Sequence, residues 1–194
     1  MITVRKNPSS RLYIATVCTI IVIVAVLSLS ILNKHAPQSA TMSSPSKSSM
    51  KLTSSAFADG SLIPVKYTCN GKEISPPLEI FGVPADAKSL ILTLEDPDAP
   101  TGVWDHWVVF NIDPKMLVIA EGTVPKGAML GSNTGGTVAY EGPCPPSGTH
   151  RYVFTLYALS AKLSLPEGSS KATVLAAMNG NVLAVAELMG KYGK

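Results

Sequence analysis

The hydrophobic positions of this chain follow two different patterns. Residues 12–32 form one predominantly apolar run that contains neither a charged residue nor a proline. After residue 50, short apolar runs alternate with turn-forming segments rich in Pro, Gly, Asn and Asp, a spacing typical of β-strands joined by short loops. The pattern therefore predicts an apolar N-terminal helix followed by a mainly β domain over residues 51–194.

The apolar run predicts a membrane anchor. As a helix rising about 1.5 Å per residue, residues 12–32 match the roughly 30 Å hydrocarbon core of a bilayer. The run is longer than the roughly 7–15 apolar residues of a cleaved signal peptide, so we expect a retained transmembrane helix, with secretion after cleavage as the alternative. Arg5, Lys6 and Arg11 precede the run, which favours a cytoplasmic location for residues 1–11 and a periplasmic or extracellular domain.

The charged residues are distributed unevenly. Residues 33–50 are rich in Ser and contain two Pro, a composition that predicts a flexible linker. The formal net charge of the chain is +3, yet residues 51–194 contain 11 basic and 13 acidic residues. This mildly acidic domain lacks the basic face that displaces counterions from nucleic-acid phosphates. We therefore do not expect a nucleic acid as a partner.

Three predicted strands carry a polar side chain at one end of an apolar face, because side chains two positions apart point to the same side of a strand. The shared faces are Leu90, Leu92, Leu94 and Asp96 in the first, Trp104, His106, Val108, Phe110 and Ile112 in the second, and His150, Tyr152, Phe154, Leu156 and Ala158 in the third. If the first two strands pair antiparallel through the loop 97–103, Asp96 and His106 approach each other. A second polar pair, His150 and Tyr152, projects together. Although a lone His is more often structural, the combination predicts a polar pocket over an apolar floor.

The C-terminal segment has a composition that favours helices. Ala172–Met178 and Val182–Met189 are rich in Ala, Val, Leu and Met, and Asn179-Gly180-Asn181 between them predicts a helix stop. We therefore predict two short helices here. The last residues, Lys191–Lys194, predict a short strand.

Four motifs occur in a characteristic order. They are Asp96-Pro97-Asp98-Ala99-Pro100, Trp104-Asp105-His106-Trp107, Gly142-Pro143-Cys144-Pro145-Pro146 and His150-Arg151-Tyr152. From about residue 52 to the end, the chain resembles the phosphatidylethanolamine-binding protein (PEBP) family, in particular its bacterial Raf-kinase-inhibitor-like branch. The resemblance implies a PEBP-like β-sandwich of antiparallel sheets with short helices and a shallow pocket for phosphate-type headgroups.

The resemblance also implies a set of ligand-binding residues. Carried over by motif position, they are Asp96, Asp98, Pro100, Trp104, His106, Tyr140, Gly142, His150 and Tyr152. Neither a cofactor nor a metal is expected. Asp98 also has a purely structural interpretation, because an Asp side chain in a Pro-rich turn can accept hydrogen bonds from nearby backbone amides.

Two cysteines lie in predicted loops of the domain. Cys69 and Cys144 are the only cysteines after residue 50. In an oxidising compartment, an even pair of loop cysteines indicates a disulfide, with two unpaired thiols as the alternative.

Three functions remain open from the sequence. The leading hypothesis is a membrane-anchored binding module for a small anionic or phosphorylated ligand such as a phospholipid headgroup, because no Gly-x-Ser-x-Gly, Walker or His-Glu-x-x-His motif occurs. A second is an interaction protein that inhibits a protease or another enzyme. A third is an enzyme in which Asp96 and His106 act as an acid/base pair, or bind a metal together with His150.

Overall fold

The computed structural model describes residues 50–193. The predicted anchor at residues 12–32 lies outside the described residues, as do the N-terminus and nearly all of the linker. Within the described part, no helix has the length and apolar character needed to cross a membrane. The strands are β1 (Lys51–Thr53), β2 (Leu78–Phe81), β3 (Ser89–Asp96), β4 (Trp104–Ile112), β5 (Val118–Ile119), β6 (Met129–Leu130), β7 (Thr149–Leu159) and β8 (Val182–Gly193), and the helix α1 is Lys171–Ala177.

The strands form two sheets whose neighbours are all antiparallel. The smaller sheet has the order β1-β2-β5, and the larger has the order β6-β4-β3-β7-β8. Leu52 and Ile80 of the smaller sheet share one hydrophobic core with Leu92 and Phe154 of the larger sheet. The predicted mainly β fold with antiparallel sheets is therefore confirmed.

The opposite face of the larger sheet is also covered. Ile91 and Phe110 pack there with Val174 of α1 and with Met178, which follows the helix. Because apolar groups lie on both faces, β3 is buried at nearly every position. This burial explains its nearly continuous apolar sequence, since a strand covered on both sides has no solvent face.

Strand β4 contains a β-bulge at His106. Leu94 pairs with Trp107, but the next residue of β3, Glu95, pairs with Asp105. His106 is therefore an additional residue on β4, and such a bulge changes the direction in which a strand presents its side chains.

A second irregularity in β4 lies at Asn111, which has a positive φ of 58°. The prediction that His106, Val108, Phe110 and Ile112 share one face is wrong in its middle part. Val108 and Phe110 belong to the core beneath α1, whereas Ile112 belongs to the core between the sheets. Strict alternation fails because each bulge shifts the phase of the strand.

The C-terminal prediction is correct for the first helix and wrong for the second. Helix α1, Lys171–Ala177, agrees with the predicted helix, and the Ser170 side chain caps its N-terminus by accepting a hydrogen bond from the Thr173 amide at 3.2 Å. The predicted helix Val182–Met189 is instead the first part of β8, which pairs with β7 along its length. Backbone pairing here overrides the helix propensity of Ala, Leu and Met, which is only a weak preference.

Candidate functional site

A cavity of about 420 Å³ lies where the loop after β3 meets the start of β4 and the loop before β7. Its lining residues are Asp96, Ala99, Pro100, Thr101, Trp104, His106, Glu141, Cys144 and Pro146. Four of the nine predicted ligand-binding residues are among them, namely Asp96, Pro100, Trp104 and His106. The predicted approach of the end of β3 to the start of β4 therefore forms a real cavity.

Asp96 is a buried carboxylate held by two donors. Its Oδ1 accepts a hydrogen bond from the Asp98 amide at 2.8 Å, and its Oδ2 lies 2.7 Å from Nδ1 of His150. The side chains of Asp96 and His150 are only 5% and 10% exposed. His150 is not a lining residue, so it acts on the cavity through Asp96. The side-chain partner of Asp96 is therefore His150 on β7. His106 lines the same cavity as Asp96.

His106 is fixed by two hydrogen bonds with the backbone of Glu141. Its Nδ1 donates to the Glu141 carbonyl at 3.0 Å, and its own carbonyl accepts from the Glu141 amide at 3.0 Å. A carbonyl only accepts, so Nδ1 carries the hydrogen. Burial lowers the pKa of His106 below its ordinary value of 6.5, so the ring is neutral at pH 7 and Nε2 carries a lone pair.

Tyr152 lies against both of these side chains. Its ring meets the His106 ring edge-on, with centroids 5.3 Å apart. The hydroxyl is buried near the Asp96 carboxylate and the Cys144 backbone, yet no described residue gives it a hydrogen bond of good geometry. Burial, together with the Asp96 charge, raises the pKa of Tyr152. The hydroxyl therefore stays protonated, with the Asp96 carboxylate beside it as an acceptor.

Asp98 does not line the cavity. Its carboxylate accepts hydrogen bonds from the Arg151 amide at 2.9 Å, Nε at 2.9 Å and Nη2 at 2.6 Å. These bonds tie the loop after β3 to the start of β7. The role of Asp98 is therefore structural, but its partner is Arg151 and not the nearby backbone amides that the sequence suggested. The local turn bond is accepted instead by Asp96, from the Asp98 amide.

The ion pair predicts the pH response of Asp98. Hydrogen bonds from Arg151 lower the pKa of Asp98 from 3.8 to about 2. Because the pKa of Asp98 is lower in the folded state, the ionised Asp98 side chain stabilises the fold above pH 3.8. This stabilisation is lost as the pH falls toward 2. We expect Arg151→Ala to return the Asp98 pKa toward 3.8, as measured by NMR titration of its carboxyl carbon. An unchanged pKa in this variant would contradict the assignment.

Tyr140 and Gly142 lie behind the cavity and do not line it. The Tyr140 hydroxyl donates to the Tyr67 carbonyl at 2.8 Å, and its ring packs edge-on against Trp107 at 5.5 Å. Tyr140 and Trp107 line a second cavity of about 210 Å³, together with Glu73. The Gly142 amide donates to the Glu73 carboxylate at 3.3 Å.

Gly142 is required by packing. A Cβ atom at this position would lie 2.9 Å from the carbonyl carbon of Thr68 and 3.0 Å from the amide nitrogen of Cys69, so the backbone would have to move. We expect Gly142→Ala to lower the free energy of unfolding by about 1–3 kcal/mol in chemical denaturation. An Ala substitution at exposed Ser147 in the same loop should change it by less than about 0.5 kcal/mol. Equal stabilities of the two variants would contradict this packing role.

Glu141 is one of five lining residues that the sequence analysis did not include in the ligand-binding set. Its Oε2 accepts from Trp104 Nε1 at 3.3 Å, and its backbone holds His106. The residue lies between two positions of the resemblance, Tyr140 and Gly142, and neighbouring side chains in an extended segment point to opposite sides. This position between two predicted site residues is the sequence signal that could have identified Glu141. The other four are Ala99, Thr101, Pro146 and Cys144, of which Cys144 was predicted only as a disulfide partner.

The predicted disulfide is present. Cys69 and Cys144 are bonded, with their Cα atoms 5.5 Å apart. The Cys69 amide also donates to the Pro143 carbonyl at 3.2 Å. Because Cys144 lines the cavity, the bridge fixes the loop that carries Glu141.

Helix α1 supports the site from the outer side of the sheet. Lys171 Nζ lies 3.1 Å from Glu95 and also forms an ion pair with Asp105. These acids directly precede Asp96 on β3 and His106 on β4. The Lys171 side chain is only 13% exposed. Its two ion pairs join the end of β3 to the start of β4 next to the bulge. Residues 50–193 contain no group of three or more His, Cys, Asp and Glu arranged to hold a metal ion.

Comparison with known proteins identifies the same kind of domain. The family model described as phosphatidylethanolamine-binding protein matches residues 53–193. A UPF0098 protein from Methanothermobacter thermautotrophicus is 53% identical over 148 residues, which cover 74% of this chain and 98% of that protein. A UPF0098 protein from Chlamydia trachomatis is 49% identical over 150 residues, which cover 75% of this chain and 99% of that protein.

Solved structures agree with the sequence relatives. The crystal structure of a phosphatidylethanolamine-binding protein homologue from Chlamydia trachomatis has a TM-score of 0.73 and 49% identity, covering 76% of this chain and 99% of that one. Escherichia coli YbcL, described as a new member of the mammalian PEBP family, has a TM-score of 0.70 and 32% identity, covering 75% and 98%. The chain therefore belongs to the phosphatidylethanolamine-binding protein family.

Proposed function

We propose that this chain is a binding protein, and not an enzyme, for a small phosphorylated ligand of the phospholipid-headgroup type. The ligand binds in the cavity lined by Asp96, Trp104 and His106. The observation that carries the proposal is the cavity itself, in which the indole N–H of Trp104 lies between apolar walls and is held by a long hydrogen bond of 3.3 Å. A donor with so long a bond gains from a closer acceptor, and a phosphate oxygen is a strong acceptor.

Two further features of the cavity fit a small-molecule ligand. The Asp96 and His150 pair fixes the floor of the cavity at 2.7 Å. Pro100 and Pro146 provide apolar walls, a combination of few polar groups and apolar lining that is typical of small-molecule sites.

The location of the domain is part of the proposal. The apolar run 12–32, with basic residues before it, supports a retained anchor and a domain on the outer side of the membrane. Such an anchor would keep the cavity close to lipid headgroups. Fractionation should recover the chain at its full mass of 20.4 kDa with the membranes, and protease added to intact spheroplasts should digest the domain. A shortened soluble product would instead indicate signal cleavage.

Calorimetric titration tests the binding function. We expect the full chain to bind phosphoethanolamine saturably, and His150→Ala to weaken this binding by at least about tenfold, because Asp96 loses the partner that orients it. Tyr157→Phe is a matched control, since Tyr157 lies on the same strand but packs toward the core beneath α1. Absence of saturable binding to phosphoethanolamine, inorganic phosphate and acetate alike would remove the proposed function.

A further inference from the structure

The cavity contains a carboxylate whose charge no neighbouring base compensates. The charged lining residues are Asp96 and Glu141, and neither Lys nor Arg is among the lining residues. Asp96 is paired with His150. Glu141 receives one long hydrogen bond from Trp104, and within residues 50–193 no basic side chain forms an ion pair with it.

Two basic groups near the site, His106 and Arg151, are engaged elsewhere. His106 directs its Nδ1 hydrogen to the backbone carbonyl of Glu141 and not to its carboxylate. Arg151, close to the cavity along β7, is held by Asp98 through its Nε and Nη2 atoms. Consequently, a ligand that enters beside Glu141 meets a negative charge in a partly desolvated environment, where charge interactions are stronger than in water.

We infer that Glu141 is a specificity-determining residue, which selects ligands that carry an ammonium group beside their phosphate over ligands that carry phosphate alone. The inference rests on the proposed function, because it concerns the same cavity. A ligand that carries phosphate but no cation is repelled by the negative charges of both Asp96 and Glu141. An ammonium group on the same ligand offers three donors and a positive charge to Glu141 and offsets this repulsion.

The test compares two ligands of nearly equal shape. Phosphoethanolamine and propyl phosphate differ in having an ammonium or a methyl group at the end of the same short chain. By calorimetry on the full chain, we expect phosphoethanolamine to bind at least about tenfold more tightly. In Glu141→Gln this ratio should fall to about one, because binding of phosphoethanolamine weakens and binding of propyl phosphate strengthens. Glu187→Gln, an exposed position on β8, is the control and should keep the wild-type ratio.

The possible outcomes separate the inference from the proposed function. A wild-type ratio near one, or a ratio that Glu141→Gln leaves unchanged, would overturn the role of Glu141 while leaving headgroup binding intact. Binding of inorganic phosphate as tight as that of phosphoethanolamine would overturn it as well. If the wild-type chain bound none of the three probes, the proposed function and the inference would both fail. The glutamine variant keeps the backbone bonds to His106, so a change in the ratio reports the lost charge.

Discussion

Replacement of both Cys69 and Cys144 by Ser is expected to lower the free energy of unfolding by about 4 kcal/mol. The bridge joins residues 75 positions apart, and a cross-link over a long loop removes much conformational entropy from the unfolded chain. For a domain of this size, the loss corresponds to a fall in Tm of roughly 10 °C or more. Thermal unfolding followed by circular dichroism measures it.

The disulfide variant has a simple internal control. Cys18→Ser changes a cysteine that lies in the predicted anchor, so it should leave the Tm of the domain unchanged. Addition of a dithiol reductant to the wild-type chain should reproduce the Tm of the double variant. Equal Tm values for the wild-type chain and the double variant would show that the bridge does not stabilise the domain.

Replacement of Asp96 by Ala is expected to abolish headgroup binding and to lower the free energy of unfolding by about 3 kcal/mol. Asp96 is 3% exposed, and its removal takes a partner from both the Asp98 amide and His150. Buried groups that lose a partner bear the full cost of desolvation. Calorimetric titration with phosphoethanolamine and chemical denaturation measure the two effects.

Asp98→Ala is the matched control for the Asp96 variant. It removes a neighbouring carboxylate whose ion pair with Arg151 is largely exposed, so we expect a loss below about 1 kcal/mol and retained binding. Asp96→Asn keeps the size and an acceptor for the Asp98 amide, so it should fold. It should still lose binding, because a neutral amide no longer holds His150 as the carboxylate does. Retained binding in Asp96→Asn would contradict the role of the carboxylate.

The sequence predicted the strands that follow strict alternation. Strand β7 directs Tyr152, Phe154 and Leu156 into one core, as their spacing indicates. Strand β4 does not follow this rule, because its bulges at His106 and Asn111 depend on pairing with β3. A bulge arises from contacts between strands, which the pattern along one strand does not contain.

The prediction for β8 failed because pairing between strands, which the sequence pattern does not show, decided its structure. Ala184, Ala186 and Leu188 alternate with exposed residues such as Val185 and Glu187, so a period of two was present in the sequence. The helix propensity of the individual residues concealed it. What decides the structure is the long strand β7, whose free edge offers backbone partners to the segment.

The candidate site was predictable where side chains share a face and not where loops converge. Asp96 and His106 were placed together from strand pairing alone, and the structure puts both in one cavity. The partnership of Asp96 with His150 requires the order β4-β3-β7 of the sheet, which the alternation does not reveal. Glu141 enters the cavity because the segment around it pairs with the backbone of His106, a contact between residues distant in sequence.

The two tryptophans of this chain provide the most direct test of the binding site. Trp104 lines the cavity with Asp96, whereas Trp107 lines the second cavity with Tyr140. In a ¹H–¹⁵N NMR titration with phosphoethanolamine, we expect a saturable shift of the Trp104 indole signal and an unchanged Trp107 signal. A shift of the Trp107 signal alone, or of neither, would show that the ligand does not bind beside Asp96 and His106.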